Sequence, residues 1–262
     1  MQIETTHRVL NAGEVHSAAS GKCALAVMTK APYSGKVKTR LVPPLTHDEA
    51  AQLNICFLRD TASAISKAVH QGGRGIAVYT PIGAEPAYAD ILPLDFCLVP
   101  QRGEAFGDRL MVAVEDLFQI GFASVCLIDS DSPTVSAKIY AQAVKELARP
   151  GDRVVIGPSD DGGYYLIGLK KLHRRMFEGI DWSTEQVLEQ TKQRAAELGL
   201  ETRLLPAGYD VDNQATLQRL CRELLRQEPV SSPSLAPSTT ACLRRLVAGG
   251  VGERIWMGSG AR

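Results

Sequence analysis

The chain has no excess of charge of either sign: lysine plus arginine number 29 and aspartate plus glutamate number 29. A balanced field gives no electrostatic reason to expect a nucleic acid or an anionic membrane as partner, so any grip on phosphate has to be local. Long apolar runs are missing as well. No stretch approaches the roughly 20 residues of a membrane span, and the first twenty residues, with His7, Arg8, Asn11, Glu14 and His16, hold no apolar core of signal-peptide length. Cysteines are few and unpaired in sequence. Cys23, Cys56, Cys97, Cys126, Cys221 and Cys242 form no C-x-x-C pair, which reads as buried thiols in a reducing compartment rather than disulfides or metal ligands. A cytoplasmic protein is the expectation. The G-x-x-x-x-G-K-[ST] spacing is absent, which excludes a P-loop, and no repeat of solenoid length is present.

What is present is an alternation of short apolar runs with longer segments of helical period, the pattern of a mostly parallel sheet with helices on its faces. Strands are expected over 23–28, 75–79, 96–99, 124–128, 153–156, 164–169 and 201–205. Helices are expected from 47 to about 69, with Thr46 as N-cap, and over 105–119, 136–148, 184–198 and 213–225. Their apolar stripes (Ala50, Leu53, Phe57, Ile65 and Ala68 in the first, Val187, Leu188 and Leu198 in the fourth) read as core. Residues 1–20 read as an N-terminal extension and 21–227 as one α/β domain. In 228–262, a Ser/Pro/Ala-rich linker to about Thr240 precedes a tail that either docks as a short helix or stays unstructured.

Three segments carry chemistry. The first follows the leading strand and places Lys30, Lys36, Lys38 and Arg40 within eleven residues, with Thr39 between them and Gly35 permitting close backbone approach. Loops at the carboxyl ends of parallel strands are where open α/β sheets bind ligands, and such a turn suits nucleotide phosphates: arginine as a fork, lysines as point charges. The alternative is a solvated basic loop. The second is Asp129-Ser130-Asp131, at the end of the fourth strand candidate, where two carboxylates one residue apart can hold a hard divalent ion. The alternative is that Asp131 or Ser132 caps the next helix. The third, Asp160-Asp161-Gly162-Gly163, offers a carboxylate, Asp160 or Asp161, that orients an acceptor or contacts the metal beside open backbone, or else a plain hairpin turn. Two weaker segments precede helices. Trp182, Ser183 and Thr184 are acceptor-contact candidates, with helix capping by Ser183 as the plainer explanation. Asp212 either caps its helix or completes the metal shell.

Taken in order, Lys30-Ala-Pro, Gly35-Lys-Val-Lys-Thr-Arg-Leu41, Asp129-Ser-Asp-Ser-Pro-Thr134, Asp161-Gly-Gly-Tyr-Tyr-Leu-Ile-Gly168, Trp182-Ser-Thr184 and Asp210-Val-Asp212 resemble the DUF2064 family. These are glycosyltransferase-like, or radical-SAM/selenodomain-associated, transferases of the nucleotide-diphospho-sugar transferase superfamily. The resemblance runs from about Cys23 to Leu225. It implies a GT-A-type Rossmann-like sheet, a nucleotide at the first loop and Mg²⁺ or Mn²⁺ at Asp129 and Asp131. The cationic turn is also similar to the Lys-Ser/Thr-Arg-Leu element of 2-phospho-lactate guanylyltransferase. Nucleotidyl transfer from a nucleoside triphosphate to a small phosphorylated or hydroxyl acceptor is therefore the leading expectation. Lys36, Lys38 and Arg40 would neutralise the leaving phosphates. Glycosyl transfer from a nucleotide sugar, with Asp161 as base, is the second, and a non-catalytic nucleotide-binding module the third.

Overall fold

A computed structural model of the chain describes residues 7–225 and 235–257. Eight strands form one sheet: β1 (Arg8–Val9), β2 (Cys23–Lys30), β3 (Gly73–Thr80), β4 (Cys97–Pro100), β5 (Ser124–Ile128), β6 (Arg153–Pro158), β7 (Tyr164–Leu169) and β8 (Glu201–Leu204). Their spatial order is β1-β4-β3-β2-β5-β7-β6-β8, with β7 antiparallel to both neighbours and every other pairing parallel. The central strands β2 and β5 lie side by side, and the chain leaves β2 toward β3, on the other side. Their loops diverge, which opens a crevice at the carboxyl edge.

Each central strand sends alternate side chains to opposite faces. Leu25, Val27, Cys126 and Ile128 join one core with α1 (His47–Ala68) and α3 (Ala137–Ala148). Ala24, Ala26, Val125 and Leu127 join the other with α2 (Phe106–Ile120) and Ala195 of α4 (Val187–Glu197). All six cysteines are free and buried. Among the described residues no helix is long and apolar enough to cross a membrane.

The capping box at Thr46 starts α1 as expected: Glu49 N–H donates to Thr46 Oγ1, and Thr46 N–H to Glu49 Oε2. Its stripe does not stay on one face. Ile65 and Ala68 face the sheet, whereas Ala50, Leu53 and Phe57 face a third cluster with Leu217, Leu220, Cys242 and Leu243. That cluster joins α5 (Gln214–Leu225), α6 (Pro237–Leu246) and α7 (Gly252–Trp256) to the outer side of α1. The linker expected from 228 to about 240 falls largely outside the described residues; where it is described again, Pro237 already begins a helix. Arg8–Val9, placed by sequence in an extension, adds an edge strand beside β4. Leu198, expected in the core, follows the end of α4 and is exposed.

A single buried carboxylate holds α6. Both oxygens of Asp60 on α1 accept backbone N–H groups at the start of α6, from Ser238 at 2.9 Å and Thr239 at 2.7 Å. The anion also meets the positive end of that helix. Asp60→Ala should cost roughly 2 kcal/mol, since two charge-assisted bonds are lost and two amides left bare. The expected result is a lower melting temperature and faster hydrogen exchange in α6, with exchange in β2 and β5 unchanged. Unchanged exchange in α6 would contradict this anchoring.

Candidate functional site

The cationic turn after β2 is pinned by Val37 and Leu41, both buried, which leaves Lys36, Thr39 and Arg40 exposed between and beside them. Gly35 turns the chain at φ +72° and lines neither cavity described below, so its role is the left-handed turn rather than contact with a ligand. Lys38 also has left-handed backbone, at φ +48°, a conformation rare outside glycine and one that clusters at functional sites. The twist sends its side chain inward. Lys38 Nζ lies 2.8 Å from Asp212 Oδ1, 2.9 Å from Asp131 Oδ2 and 2.9 Å from the carbonyl of Val211. Burial pulls the ammonium's pKa down, but the two carboxylates outweigh it and hold the group above its ordinary value. Its three protons are thus used within the protein, so Lys38, expected to meet phosphate directly, instead ties the basic turn to both acidic segments. Arg40 stays exposed, 3.5 Å from Asp212 Oδ2. Among the described residues no carboxylate reaches Lys30 or Lys36.

The Asp129–Asp131 segment leaves β5 with Asp129 N–H donating to the Tyr165 carbonyl at 2.9 Å. Neither Asp131 nor Ser132 caps a helix, because α3 starts five residues after Ser132, with Ser136 at its N-cap position. Ser132 Oγ instead donates to Asp129 Oδ2 at 2.7 Å, while Asp129 Oδ1 is buried without a partner. Burial, then the charge of Asp131, pushes Asp129 well above the ordinary carboxylate range, against the Ser132 hydroxyl. Asp210, part of the motif resemblance but given no role there, is raised to about 6 by burial and by the charges of Asp161, Asp212 and Asp131. Asp212 does not cap α5 either. Asn213 does so, its Oδ1 accepting Thr216 N–H at 3.0 Å, and this leaves the Asp212 carboxylate to Lys38.

The segment from Ser159 to Gly163 is the hairpin connection between β6 and β7, closed by Ser159 N–H to the Gly163 carbonyl. The two acidic residues part company there. Asp160 pairs with Arg219 at 2.6 Å, while Asp161 lines the crevice and accepts Gly163 N–H at 3.0 Å. Gly162 does not line it. A Cβ there would stand 2.2 Å from the Glu185 carbonyl, so this glycine lets the hairpin press against the segment that starts α4. Ser183 does not cap α4, whose N-cap position is Gln186; Ser183 has φ +65° and lines the crevice with Trp182 and Thr184. Trp182 sits over Gly107 of α2, where a Cβ would come within 2.4 Å of its ring nitrogen, and meets Phe106 edge to face at 5.3 Å.

These residues surround two cavities with a common wall. One, of about 270 Å³, is lined by Lys30, Lys36, Lys38, Thr39, Arg40 and the buried amide side chain of Asn54. The other, of about 350 Å³, is lined by Asp129, Asp161, Gly163, Trp182, Ser183, Thr184 and Asp210 among others. Arg40, Ser130, Asp131 and Asp212 belong to both. Among the described residues no three His, Cys, Asp or Glu side chains form a metal-ligand group. Asp131 and Asp212 nonetheless converge on one cation position, where the Lys38 ammonium now stands. Oxygen donors around a point charge fit a hard divalent ion, although Asp129 does not complete a three-residue ligand group with these two.

A sheet of this order, with a cationic turn and an acidic strand end meeting at the β2–β5 crevice, is a GT-A-type Rossmann-like α/β fold. The chain belongs to the DUF2064 family, described as an uncharacterized protein conserved in bacteria, whose profile matches residues 61–184. It is similar to a solved protein of Desulfovibrio desulfuricans assigned to the nucleotide-diphospho-sugar transferases. The two are 30% identical over 87% of this chain and 96% of that one, with a TM-score of 0.75. At 13% identity, over 80% of this chain and 100% of the other, 4-diphosphocytidyl-2C-methyl-D-erythritol synthase of Anaerococcus prevotii shares the fold, with a TM-score of 0.51. No curated protein gives a significant match.

Proposed function

We propose that the chain is a nucleotide-dependent transferase that binds phosphates in the cationic cavity and its acceptor in the adjoining acidic one. The observation that carries this reading is the common wall: Arg40, Ser130, Asp131 and Asp212 face both cavities, so a bond broken beside one is within reach of a group held in the other. Lys30, Lys36 and Arg40 neutralise the phosphates, with Thr39 and Ser130 as hydroxyl donors. Until an ion displaces its ammonium, Lys38 keeps the cationic turn and the acidic segments in register. Asp131 and Asp212, with Asp129 beside them, are the residues to hold Mg²⁺ or Mn²⁺; when bound, such an ion offsets phosphate charge. Asp161, an exposed carboxylate on the wall of the second cavity, takes the proton of an acceptor hydroxyl. Trp182, Ser183, Thr184 and the open backbone at Gly163 orient that acceptor.

The leading reaction is nucleotidyl transfer: an acceptor oxygen attacks the α-phosphorus of a nucleoside triphosphate and pyrophosphate leaves. The concentration of free cations on one side, where a triphosphate tail would lie, supports it. Glycosyl transfer from a nucleotide sugar is the second reading, favoured by the name of the Desulfovibrio relative. The released product separates them. Incubation with a panel of nucleoside triphosphates, nucleotide sugars and acceptors, in Mg²⁺ or Mn²⁺, should release pyrophosphate in the first case and a nucleoside diphosphate in the second. Release that proceeds undiminished in excess chelator would contradict the metal-dependent reading of both.

A further inference from the structure

The chemistry of the second cavity restricts what it accepts. Five of its lining residues are Asp129, Asp131, Asp161, Asp210 and Asp212, and the only basic side chain there among the described residues is Arg40, at the edge facing the phosphate cavity. Lys38, behind this wall, offsets part of the charge of Asp131 and Asp212, but Asp161 and Asp210 meet no cation among the described residues, so a phosphate or carboxylate entering beside them meets like charge in a low-dielectric cavity. The opposite wall is apolar: Met28, Phe106, Leu110, Trp182 and Val187. Phe106 is 54% exposed, an unusual state for a phenylalanine, and stands edge to face with Trp182. Together they offer a ring-sized surface for an apolar body. A separate feature points to a hydrogen-bond donor. Asp161, exposed in the wall of this cavity, accepts Gly163 N–H at Oδ1, while its Oδ2 has no partner among the described residues and is open to a donor.

Resting on the assignment of phosphates to the cationic cavity, we propose that the acceptor is an uncharged or cationic molecule with an apolar or aromatic face and a hydroxyl or amino group, and that it carries no phosphate or carboxylate. This narrows the reaction to transfer onto a hydroxyl or amine. The acceptor's oxygen or nitrogen bonds to the transferred atom, the α-phosphorus of a nucleoside triphosphate or the anomeric carbon of a nucleotide sugar; that atom's bond to the leaving oxygen breaks, pyrophosphate or nucleoside diphosphate departs with the electron pair, and the acceptor's proton passes to Asp161. A phosphorylated acceptor, which the sequence left open, has no basic side chain in this cavity beyond the shared Arg40 among the described residues.

The test uses the full chain with Trp256→Phe, which leaves Trp182 as the sole tryptophan; Trp256 lies on α7, outside both cavities. Trp182 fluorescence is titrated with three matched probes: 3-phenylpropylamine, 3-phenylpropan-1-ol and 3-phenylpropionate. The amine and the alcohol should bind saturably, each at least about tenfold tighter than the carboxylate, because only the carboxylate meets like charge. Asp161→Asn should narrow the gap between amine and carboxylate by about threefold, the effect of removing one nearby charge. Saturating nucleoside triphosphate should leave the amine bound. Equal or tighter binding of the carboxylate, no saturable binding by the amine or the alcohol, or expulsion of the amine by nucleotide would each overturn the proposal. Nucleotide binding is followed separately by thermal shift, so its failure would strike the phosphate assignment and leave the acceptor result legible.

Discussion

Asp131→Ala is expected to lower turnover by about a thousandfold or more, the scale seen when a group that organises charge in the transition state is removed. Asp131 is the carboxylate that faces both cavities and shares the Lys38 ammonium with Asp212. Without it the cation position keeps one carboxylate of the pair, and phosphates on the basic side lose their link to the acceptor side. The fold should survive. Val211 N–H donates to the backbone carbonyl of Asp131 at 3.0 Å, a bond the substitution does not touch, and Lys38 keeps Asp212 and the Val211 carbonyl. Asp131→Asn retains an oxygen to accept from Lys38 and should melt close to wild type while remaining as impaired. Steady-state release of pyrophosphate or nucleoside diphosphate, beside melting curves for both variants, is the measurement. An active Asp131→Asn would show that the charge at this position is not needed.

The second large effect is expected at Lys38. Breaking a fully buried ion pair costs about 3–5 kcal/mol because the partner is left charged and unpaired. Asp131 and Asp212 are 31% and 35% exposed, so water screens part of that repulsion and Lys38→Met should cost about 2 kcal/mol. The distinctive part is its response to ions. With the ammonium gone, two carboxylates face an open cation position, and a divalent ion that binds the native state raises its stability. Mg²⁺ or Mn²⁺ should therefore raise the melting temperature of Lys38→Met more than that of the wild type. Equal shifts in the two proteins would mean that Lys38 does not stand where a cation binds.

The contrast between Lys38 and its neighbours shows how far sequence reaches. In the sequence, four cations in one turn are equivalent point charges, and the reading of a phosphate-facing turn follows from its position after the first long strand. What separates Lys38 from Lys36 is a left-handed backbone and an acidic partner 174 residues away, and neither leaves a local mark. The strands were legible because apolar runs such as Ser124–Ile128 end in charge or glycine. The hairpin at Ser159–Gly163 was legible for the same reason, but not which of Asp160 and Asp161 faces the crevice, because Arg219 decides that from another helix. β1 escaped notice because two residues carry no period. The start of α6 inside the expected linker escaped because its N-terminal cap is Asp60, 178 residues before Ser238. Asp210 did leave a signal: Asp210-Val-Asp212 repeats the spacing of Asp129-Ser-Asp131, and both pairs sit at the carboxyl edge of the sheet. Asn54 left a fainter one, a polar residue on an otherwise apolar face of α1.

Crystals grown with Mn²⁺ and a non-hydrolysable nucleoside triphosphate analogue put the pairing of cation and phosphates to the most direct trial. An anomalous peak at about 2.2 Å from carboxylate oxygens of both Asp131 and Asp212, with the phosphate tail beside Lys30, Lys36 and Arg40, is the result expected of an oxygen-ligated ion in this crevice. Manganese bound elsewhere, or a phosphate tail lying among Asp161, Asp210 and Trp182, would contradict the division of the site on which the proposed chemistry depends.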